Sequence, residues 1–124
     1  IAKSNVPSIY VCNIMTQPGE TDNYTVADHI RAIDKVCGKK IFDAVLVQGR
    51  SPSPQALTKY AEEYSHPVFL DKEEVKKLNR RIVLANIMDE NPLTSYVRHD
   101  PQLLAKILLR YYGRHLKRKF KLKW

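Results

Sequence analysis

Apolar and polar positions alternate in blocks along the chain, and the blocks predict strands alternating with helices. Short apolar runs of the kind that forms buried parallel strands occupy residues 9–14, 42–48, 66–70 and 81–87. Each run is followed, directly or after a loop, by a segment that opens on a helix start signal. Strands that alternate with helices predict an α/β fold, with a parallel sheet and helices on its faces.

Local signals indicate where each predicted helix begins and which side it buries. Capping boxes are expected at Thr25 with Asp28 and at Asp71 with Glu74, N-caps followed by Pro at Ser53 and Asp100, and a C-terminal glycine at Gly38. The expected buried positions are Val26, Ile30, Ile33 and Cys37, then Leu57, Tyr60, Ala61 and Tyr64, and finally Leu103, Leu104, Ile107, Leu108 and Tyr111. Each set repeats at the spacing of one helix face.

A long polar loop, residues 16–25, joins the first predicted strand to the first predicted helix. Loops in this position, between the carboxyl end of a strand and a helix N-terminus, are where open α/β sheets bind ligands. The alternative is a plain solvated connection. The length of the loop and its convergent Gln, Glu, Asp and Thr side chains favour binding.

The other strand-to-helix connections are expected at the same edge of the sheet, because crossovers between parallel strands are right-handed. This edge would gather residues 16–23 and 49–53, Asp71 and residues 89–100. It would hold the carboxylates Glu20, Asp22, Asp89 and Glu90 and the cations Arg50 and Arg98. Helix N-termini pointing at the same edge favour an anionic ligand.

Four residues near this edge each allow two interpretations. Arg98 either clamps a phosphate or carboxylate or forms a surface ion pair with Asp89 or Glu90, and the sequence favours neither. Asp100 is expected to cap the last helix, and His99 to be a loop histidine rather than a base. Tyr60 belongs to a buried stripe, although its ring also lies close enough to the 49–53 loop to reach a ligand base or sugar.

Length, charge and cysteine content limit the number of domains and the kinds of partner that the protein can have. A chain of 124 residues allows one domain, and its net charge of +8 is carried by the segment after Asp100, since residues 1–100 hold 13 basic and 13 acidic residues. The high pI therefore reflects the basic residues of a C-terminal tail and not the charge of the domain. Nucleic acid is not expected as a partner. No apolar stretch approaches the roughly 20 residues that span a bilayer. Cys12 and Cys37 are expected to be buried core thiols.

Several signals of catalysis are absent from the sequence. It contains no glycine-rich phosphate loop, no G-x-S-x-G elbow and no paired histidines at zinc spacing, so no metal site is predicted. The residues alone therefore indicate a ligand-binding edge more strongly than a catalytic one.

Two longer motifs stand out, namely the run of residues 9–30, which contains Thr-Gln-Pro-Gly-Glu-Thr-Asp, and Tyr-Val-Arg-His-Asp-Pro at residues 96–101. They resemble the gluconeogenesis factor family, the bacterial branch of the 2-phospho-L-lactate transferase superfamily. The resemblance covers nearly all of the chain but only the C-terminal portion of the family's length. It implies a Rossmann-like fold with helices on both faces of the sheet, in which residues 1–112 form the C-terminal half of a larger nucleotide-sugar-binding domain. Residues 113–124 would be a basic tail.

The resemblance also implies a function and a set of contacts. Family members of the bacterial branch are cytoplasmic and are expected to bind a UDP-sugar such as UDP-N-acetylglucosamine, with roles in cell shape, cell-wall precursor supply and growth on gluconeogenic carbon sources. The binding-loop motif falls on Thr16, Gln17, Pro18, Gly19, Glu20, Thr21 and Asp22, and nucleotide-sugar contacts fall on Tyr60 and Arg98. Relatives tend to have asparagine where this chain reads Gln48-Gly49-Arg50.

Three functions follow, in order of preference. The first is non-catalytic or regulatory binding of a UDP-sugar, by a protein expected to form a homo-oligomer when intact. The second is a transferase like the archaeal branch, which transfers a 2-phospholactyl group to a deazaflavin; only this function would call for Mg²⁺, and no other cofactor is implied. The third is nucleic-acid binding through the tail, where no aromatic stacking platform is recognisable.

Overall fold

A computed structural model describes residues 8–119 of the chain, with side chains through residue 114. Strands β1 (Ile9–Val11), β2 (Ala44–Gln48) and β3 (Arg81–Ala85) form a parallel sheet in the order β1-β2-β3. Strands β4 (Met88–Glu90) and β5 (Val97–His99) pair as an antiparallel hairpin. The helices are α1 (Val26–Cys37), α2 (Pro54–Glu62), α3 (Lys72–Lys77) and α4 (Pro101–Lys119).

The middle strand of the sheet is covered on both faces. Successive residues of a strand point to opposite faces, and all four of Ala44, Val45, Leu46 and Val47 are buried. Such double burial is typical of parallel sheets, and it explains why this strand reads as a continuous apolar run. The predicted α/β fold with a parallel sheet is confirmed.

The main core lies between the sheet, α1 and α3. Val26 and Ile30 of α1 pack with Val45 of β2 and Val75 of α3, and all four are fully buried. Burial of each such side chain contributes about 1.5–3 kcal/mol. This core therefore holds α1, and with it the polar loop that precedes α1, against the carboxyl end of the sheet.

A buried ion pair, which the sequence did not indicate, joins α1 to the start of β3. The Arg80 side chain is 1% exposed, and its Nη2 and Nη1 donate to the two carboxylate oxygens of Asp34 at 2.6 and 3.0 Å. Its Nε donates to the carbonyl of Phe42 at 2.7 Å, and the guanidinium lies 4.3 Å from the centroid of the Phe42 ring. One side chain thus ties α1, β3 and the segment before β2 together.

Most of the predicted helix signals are confirmed. Both hydrogen bonds of the Thr25–Asp28 capping box form, at 3.1 and 3.2 Å, and Gly38 ends α1 with φ +71°. Ser53 Oγ accepts from the N–H of Ala56 at 3.1 Å at the start of α2. Asp100 Oδ1 accepts two N–H groups in the first turn of α4, at 2.9 and 3.1 Å.

The predicted capping box at Asp71 is wrong. Helix α3 has no side-chain cap, and Asp71 Oδ1 instead accepts from the N–H of Ala27 at 3.0 Å. A carboxylate stabilises whichever helix N-terminus lies closest to it, and here that is the N-terminus of α1, 44 residues earlier in the chain. Asp71 therefore supports the polar loop rather than its own helix.

The apolar run at residues 66–70 is not a strand of the sheet. It crosses the carboxyl end of β1 in the antiparallel sense and forms a single bridge, between Met15 and Pro67. The bridge is formed by the bonds from Thr16 N to the His66 carbonyl and from Val68 N to the Ile14 carbonyl. Pro67 faces Met15 in a pair that is not itself hydrogen-bonded, so its missing N–H is tolerated there. The run instead forms a wall across the end of the sheet.

Three residues predicted to be buried are exposed, and they are Cys37, Ala61 and Tyr64. Tyr64 is 85% exposed because α2 ends at Glu62 and Tyr64 takes a left-handed conformation, φ +61°, which removes it from the helical stripe. Cys37 is exposed with its neighbour Val36 because no residue of the described range 8–119 covers the last turn of α1. Cys12 is buried as expected, and burial raises the pKa of its thiol to about 12.

We expect a thiol reagent to separate the two cysteines. In the folded protein at pH 8, iodoacetamide should alkylate Cys37 readily and Cys12 at most slowly, because only the thiolate reacts and Cys12 is both buried and held in the thiol form. Peptide mass spectrometry of the alkylated protein gives the two rates. Modification of Cys12 as fast as Cys37 would contradict the burial of Cys12 directly after β1.

The segment from Met88 to His99, predicted to be a loop, contains the β4–β5 hairpin, which folds Arg98 back beside Asp89. Helix α4 continues through the expected boundary at residue 113 and ends at Lys119. The division into residues 1–112 and 113–124 stays a prediction, and residues 120–124 lie outside the described part.

Within residues 8–119, no helix combines the length and apolar character needed to cross a membrane.

Candidate functional site

The carboxyl end of the sheet carries a cavity of about 540 Å³. One wall is the chain that leaves β1, the second is α2 with Ser65, and the third is the end of the hairpin. The lining residues are Asn13, Ile14, Met15, Thr16, Gln17, Pro18, Tyr60, Glu63, Ser65, Tyr96, Val97, Arg98 and His99. The predicted convergence of the strand-to-helix connections at one edge therefore produces a concave site.

The structure brings five of the nine residues assigned to the site to this cavity. Thr16, Gln17, Pro18, Tyr60 and Arg98 line it, although they come from three separate regions of the chain. The other four do not line it, and they are Gly19, Glu20, Thr21 and Asp22. The motif thus divides into residues that reach the cavity and residues that shape the loop.

The loop-shaping residues form hydrogen bonds with one another. The N–H of Gln17 donates to Thr21 Oγ1, and the N–H of Gly19 donates to Asp22 Oδ2, both at 2.8 Å. Gly19 has φ +81°, a conformation that L side chains rarely adopt, so the turn requires glycine. Sequence reasoning assigned the hydroxyl of Thr21 and the carboxylate of Asp22 to a ligand, whereas here each folds the turn that presents Gln17.

Thr16 is fixed at the base of the cavity. It is 3% exposed, and its Oγ1 accepts from the N–H of His66 at 3.1 Å. Its carbonyl accepts from Ser65 Oγ at 2.6 Å. Thr16 therefore positions the start of the loop, while the exposed side chain of Gln17 is the polar group that the loop offers to the cavity.

Two tyrosines form the aromatic side of the cavity. The rings of Tyr60 and Tyr96 meet edge to face with centroids 5.6 Å apart, and Lys59 Nζ lies 4.0 Å from the Tyr96 centroid. Tyr60 Oη accepts from the N–H of Val97 at 2.9 Å, which fixes β5 against α2. Tyr96 donates to Glu63 at 2.9 Å, and this hydrogen bond to a carboxylate raises the pKa of the Tyr96 phenol.

Arg98 forms one of the two ion pairs considered from the sequence. Its Nε donates to Asp89 Oδ2 at 3.3 Å, and its side chain is 73% exposed. None of the described residues accepts from its two terminal nitrogens. An exposed pair of this kind is worth about 0–1 kcal/mol, so a bound anion can compete for the guanidinium.

His99 and Glu90 have structural partners. His99 Nε2 donates to the carbonyl of Cys12 at 3.2 Å and so joins the hairpin to the end of β1. Glu90 accepts from Oγ and N–H of Ser53 at 2.6 and 2.9 Å, and these bonds at the start of α2 lower the pKa of its carboxyl group. The carboxylate of Glu90 is thus bound to the N-terminus of α2.

A second cavity, of about 390 Å³, adjoins the first one. The two share Asn13 and Ile14, and the second is also lined by residues 47–52 and 67–70. It opens at the carboxyl end of β2, where Arg50 follows Gly49. The second cavity therefore contains the sequence that departs from the pattern of the family.

Sequence reasoning missed Asn13, Glu63 and Ser65, all of which line the first cavity. Asn13 is the polar residue within the apolar run 9–14, and this position gave no separate signal. Tyr96 was quoted in the second motif without a role. Among residues 8–119, no three His, Cys, Asp or Glu side chains group in a way that could hold a metal ion.

The fold and the cavities define a parallel α/β protein with a cleft at the carboxyl ends of its strands, which is where open α/β sheets bind ligands. The family model for 2-phospho-L-lactate transferase CofD matches residues 1–88. The chain therefore belongs to the CofD family.

Curated relatives and solved structures agree with this assignment. A Nostoc protein named "Putative gluconeogenesis factor" is 64% identical over 114 residues, which are 91% of this chain and 25% of the relative. The gluconeogenesis factor of Bacillus subtilis is 33% identical over 109 residues, or 88% of this chain and 34% of the relative. A crystal structure of a UPF0052 family member from Bacillus halodurans superposes with a TM-score of 0.82 at 36% identity, covering 88% of this chain and 35% of that one.

The resemblance to gluconeogenesis factors, expected from residues 9–30 and 96–101, is confirmed by these matches. The chain spans about a quarter of the length of the first curated relatives that it matches.

Proposed function

We propose that the protein binds a nucleotide sugar, with UDP-N-acetylglucosamine as the first candidate, in the 540 Å³ cavity. The observation that carries the proposal is the meeting of Gln17, Tyr60 and Arg98 around one concave space. Ligand sites typically combine apolar and aromatic walls with a few convergent polar groups. This cavity offers aromatic rings, an amide and a guanidinium.

Each part of the nucleotide has a matching group in the cavity. The face of a tyrosine ring suits a planar base. The terminal nitrogens of Arg98 suit the diphosphate, because a guanidinium donates two parallel hydrogen bonds to phosphate oxygens. The side-chain amide of Gln17 can both donate to and accept from the ribose hydroxyls.

The wider role that we propose comes from the family. In this role the protein is cytoplasmic, forms a homo-oligomer when intact and binds its ligand without converting it. It links nucleotide-sugar levels to cell shape, cell-wall precursor supply and growth on gluconeogenic carbon sources. The names of the relatives support the link to gluconeogenesis.

Calorimetry on the intact protein tests the proposal. UDP-N-acetylglucosamine, UDP and N-acetylglucosamine are titrated separately, and we expect affinity to decrease in that order, because the diphosphate supplies the charge-assisted contacts and the sugar adds to them. Absence of binding by all three ligands, in a preparation shown to be folded by circular dichroism, would refute nucleotide-sugar binding.

The description of the matching family favours a second candidate, a transferase of the phospholactyl type. In that case Mg²⁺ could serve as a cofactor, and the intact protein would transfer the phospholactyl group from its donor to a deazaflavin, giving a phospholactyl-deazaflavin and releasing the rest of the donor. Chromatography of such a reaction separates the candidates, because a binding protein leaves the deazaflavin unmodified.

A further inference from the structure

The two cavities lie on either side of Asn13 and Ile14, which line both of them. A ligand whose base and diphosphate occupy the first cavity, as in the proposed function, would direct its remaining part past these two residues. The second cavity is the space that receives it.

The second cavity differs from the first in charge. Among the described residues that line it, Arg50 is the only charged one, whereas the first cavity contains both Glu63 and Arg98. The exposed side chain of Arg50 has no ion pair or hydrogen bond with any residue in the described range 8–119. A carboxylate or phosphate placed there would meet an uncompensated positive charge.

The backbone and walls of the second cavity suit a small polar group with one negative charge. The N–H groups of Arg50 and Ser51 have no acceptor in the described part of the chain, and they follow Gly49, which approaches the backbone of Ala85 closely enough that a Cβ would lie 3.5 Å from its nitrogen. Across the cavity, the exposed ring of Phe69 and the ring of Pro67 provide an apolar wall. A sugar ring against this wall would turn its substituents toward Arg50.

We propose that the second cavity is the sugar subsite of the nucleotide-sugar site and that Arg50 selects sugars that carry a carboxylate. This inference rests on the proposed function, since it needs the nucleotide to occupy the first cavity. Arg50 is a specificity-determining residue here: its guanidinium donates to the sugar carboxylate and makes no contact with the diphosphate.

Two ligands that differ only at C6 of the sugar test the inference. UDP-glucuronate carries a carboxylate where UDP-glucose carries a hydroxymethyl group, and both are titrated by calorimetry into the intact wild-type protein and three variants. We expect wild type to bind UDP-glucuronate about tenfold more tightly, as one charge-assisted hydrogen bond predicts. Arg50→Ala should abolish this preference by weakening UDP-glucuronate binding much more than UDP-glucose binding, while Arg50→Lys should keep part of the preference.

Arg98→Ala separates failure of the inference from failure of the proposed function. This substitution should weaken the binding of both ligands by the same factor and preserve the preference for UDP-glucuronate. Equal affinity of the wild-type protein for both ligands, or equal loss of both on Arg50→Ala, would overturn the inference while leaving nucleotide-sugar binding in place. Absence of binding by either ligand to wild type would overturn both.

Discussion

Replacement of Arg80 by Ala is expected to lower the free energy of unfolding by about 3 kcal/mol. Removing one partner of a buried pair leaves the other charge without compensation, and such changes cost about 3–5 kcal/mol. The lower end of this range applies here because the Asp34 side chain is 27% exposed and can be solvated once Arg80 is removed.

The loss extends beyond the ion pair. Arg80 also donates to the carbonyls of Phe42 and Leu78, at 2.7 and 3.0 Å, and its guanidinium packs on the Phe42 ring. A buried carbonyl left without a donor costs about 1–3 kcal/mol. Lysine should not restore stability, because a single ammonium group cannot reproduce the two-pronged contact with Asp34.

Urea denaturation of the intact protein, followed by circular dichroism, measures the effect. Arg81→Ala is the matched control: it removes the same charge one residue later, from an exposed side chain, and should change stability by less than about 0.5 kcal/mol. A double-mutant cycle with Asp34→Asn should show coupling between the two sites. Equal small effects of Arg80→Ala and Arg81→Ala would contradict the buried pair.

Replacement of Arg98 by Ala is expected to weaken UDP-sugar binding tenfold to a hundredfold without unfolding the protein. Loss of a charge-assisted contact with the diphosphate costs roughly 1.5–3 kcal/mol, which corresponds to that range of affinity. Stability should change little, because the only ion pair that Arg98 forms among the described residues is the exposed one with Asp89.

Calorimetry with UDP-N-acetylglucosamine on the intact variant measures this change. Arg31→Ala serves as the control, because it also removes an exposed arginine that forms ion pairs, in this case with Asp28 and Glu74. Arg31 lines neither cavity. Wild-type affinity in Arg98→Ala would mean that this arginine serves only the hairpin.

The sequence predicted those features that depend on neighbours in the chain. The capping box at Thr25, the glycine at the end of α1 and the N-caps at Ser53 and Asp100 each require only residues a few positions apart, and all four are present. The buried middle strand β2 was also predictable, because a strand covered on both faces must be apolar throughout.

The features that were missed depend on contacts between distant parts of the chain. Asp71 has the spacing of a local cap, but the N-terminus of α1 lies closer to it. Residues 66–70 are as apolar as a strand, and only the folded chain shows that they cross the end of β1. The ion pair between Asp34 and Arg80 spans 46 residues and leaves no local signal.

The candidate site divides in the same way. The motif at residues 16–22 identified the right loop, but spacing alone could not tell which of its side chains fold the turn and which face the cavity. Tyr60 and Arg98 were assigned from the family resemblance, and they line the same cavity as Gln17 because the hairpin folds back against α2.

A crystal structure of the intact protein with UDP-N-acetylglucosamine tests the central proposal most directly, because it measures where the ligand lies. We predict density for the nucleotide in the 540 Å³ cavity, with phosphate oxygens within about 3 Å of the Arg98 guanidinium and a ligand ring against Tyr60. Well-defined ligand density away from this cavity, with Arg98 still paired to Asp89, would contradict the proposal.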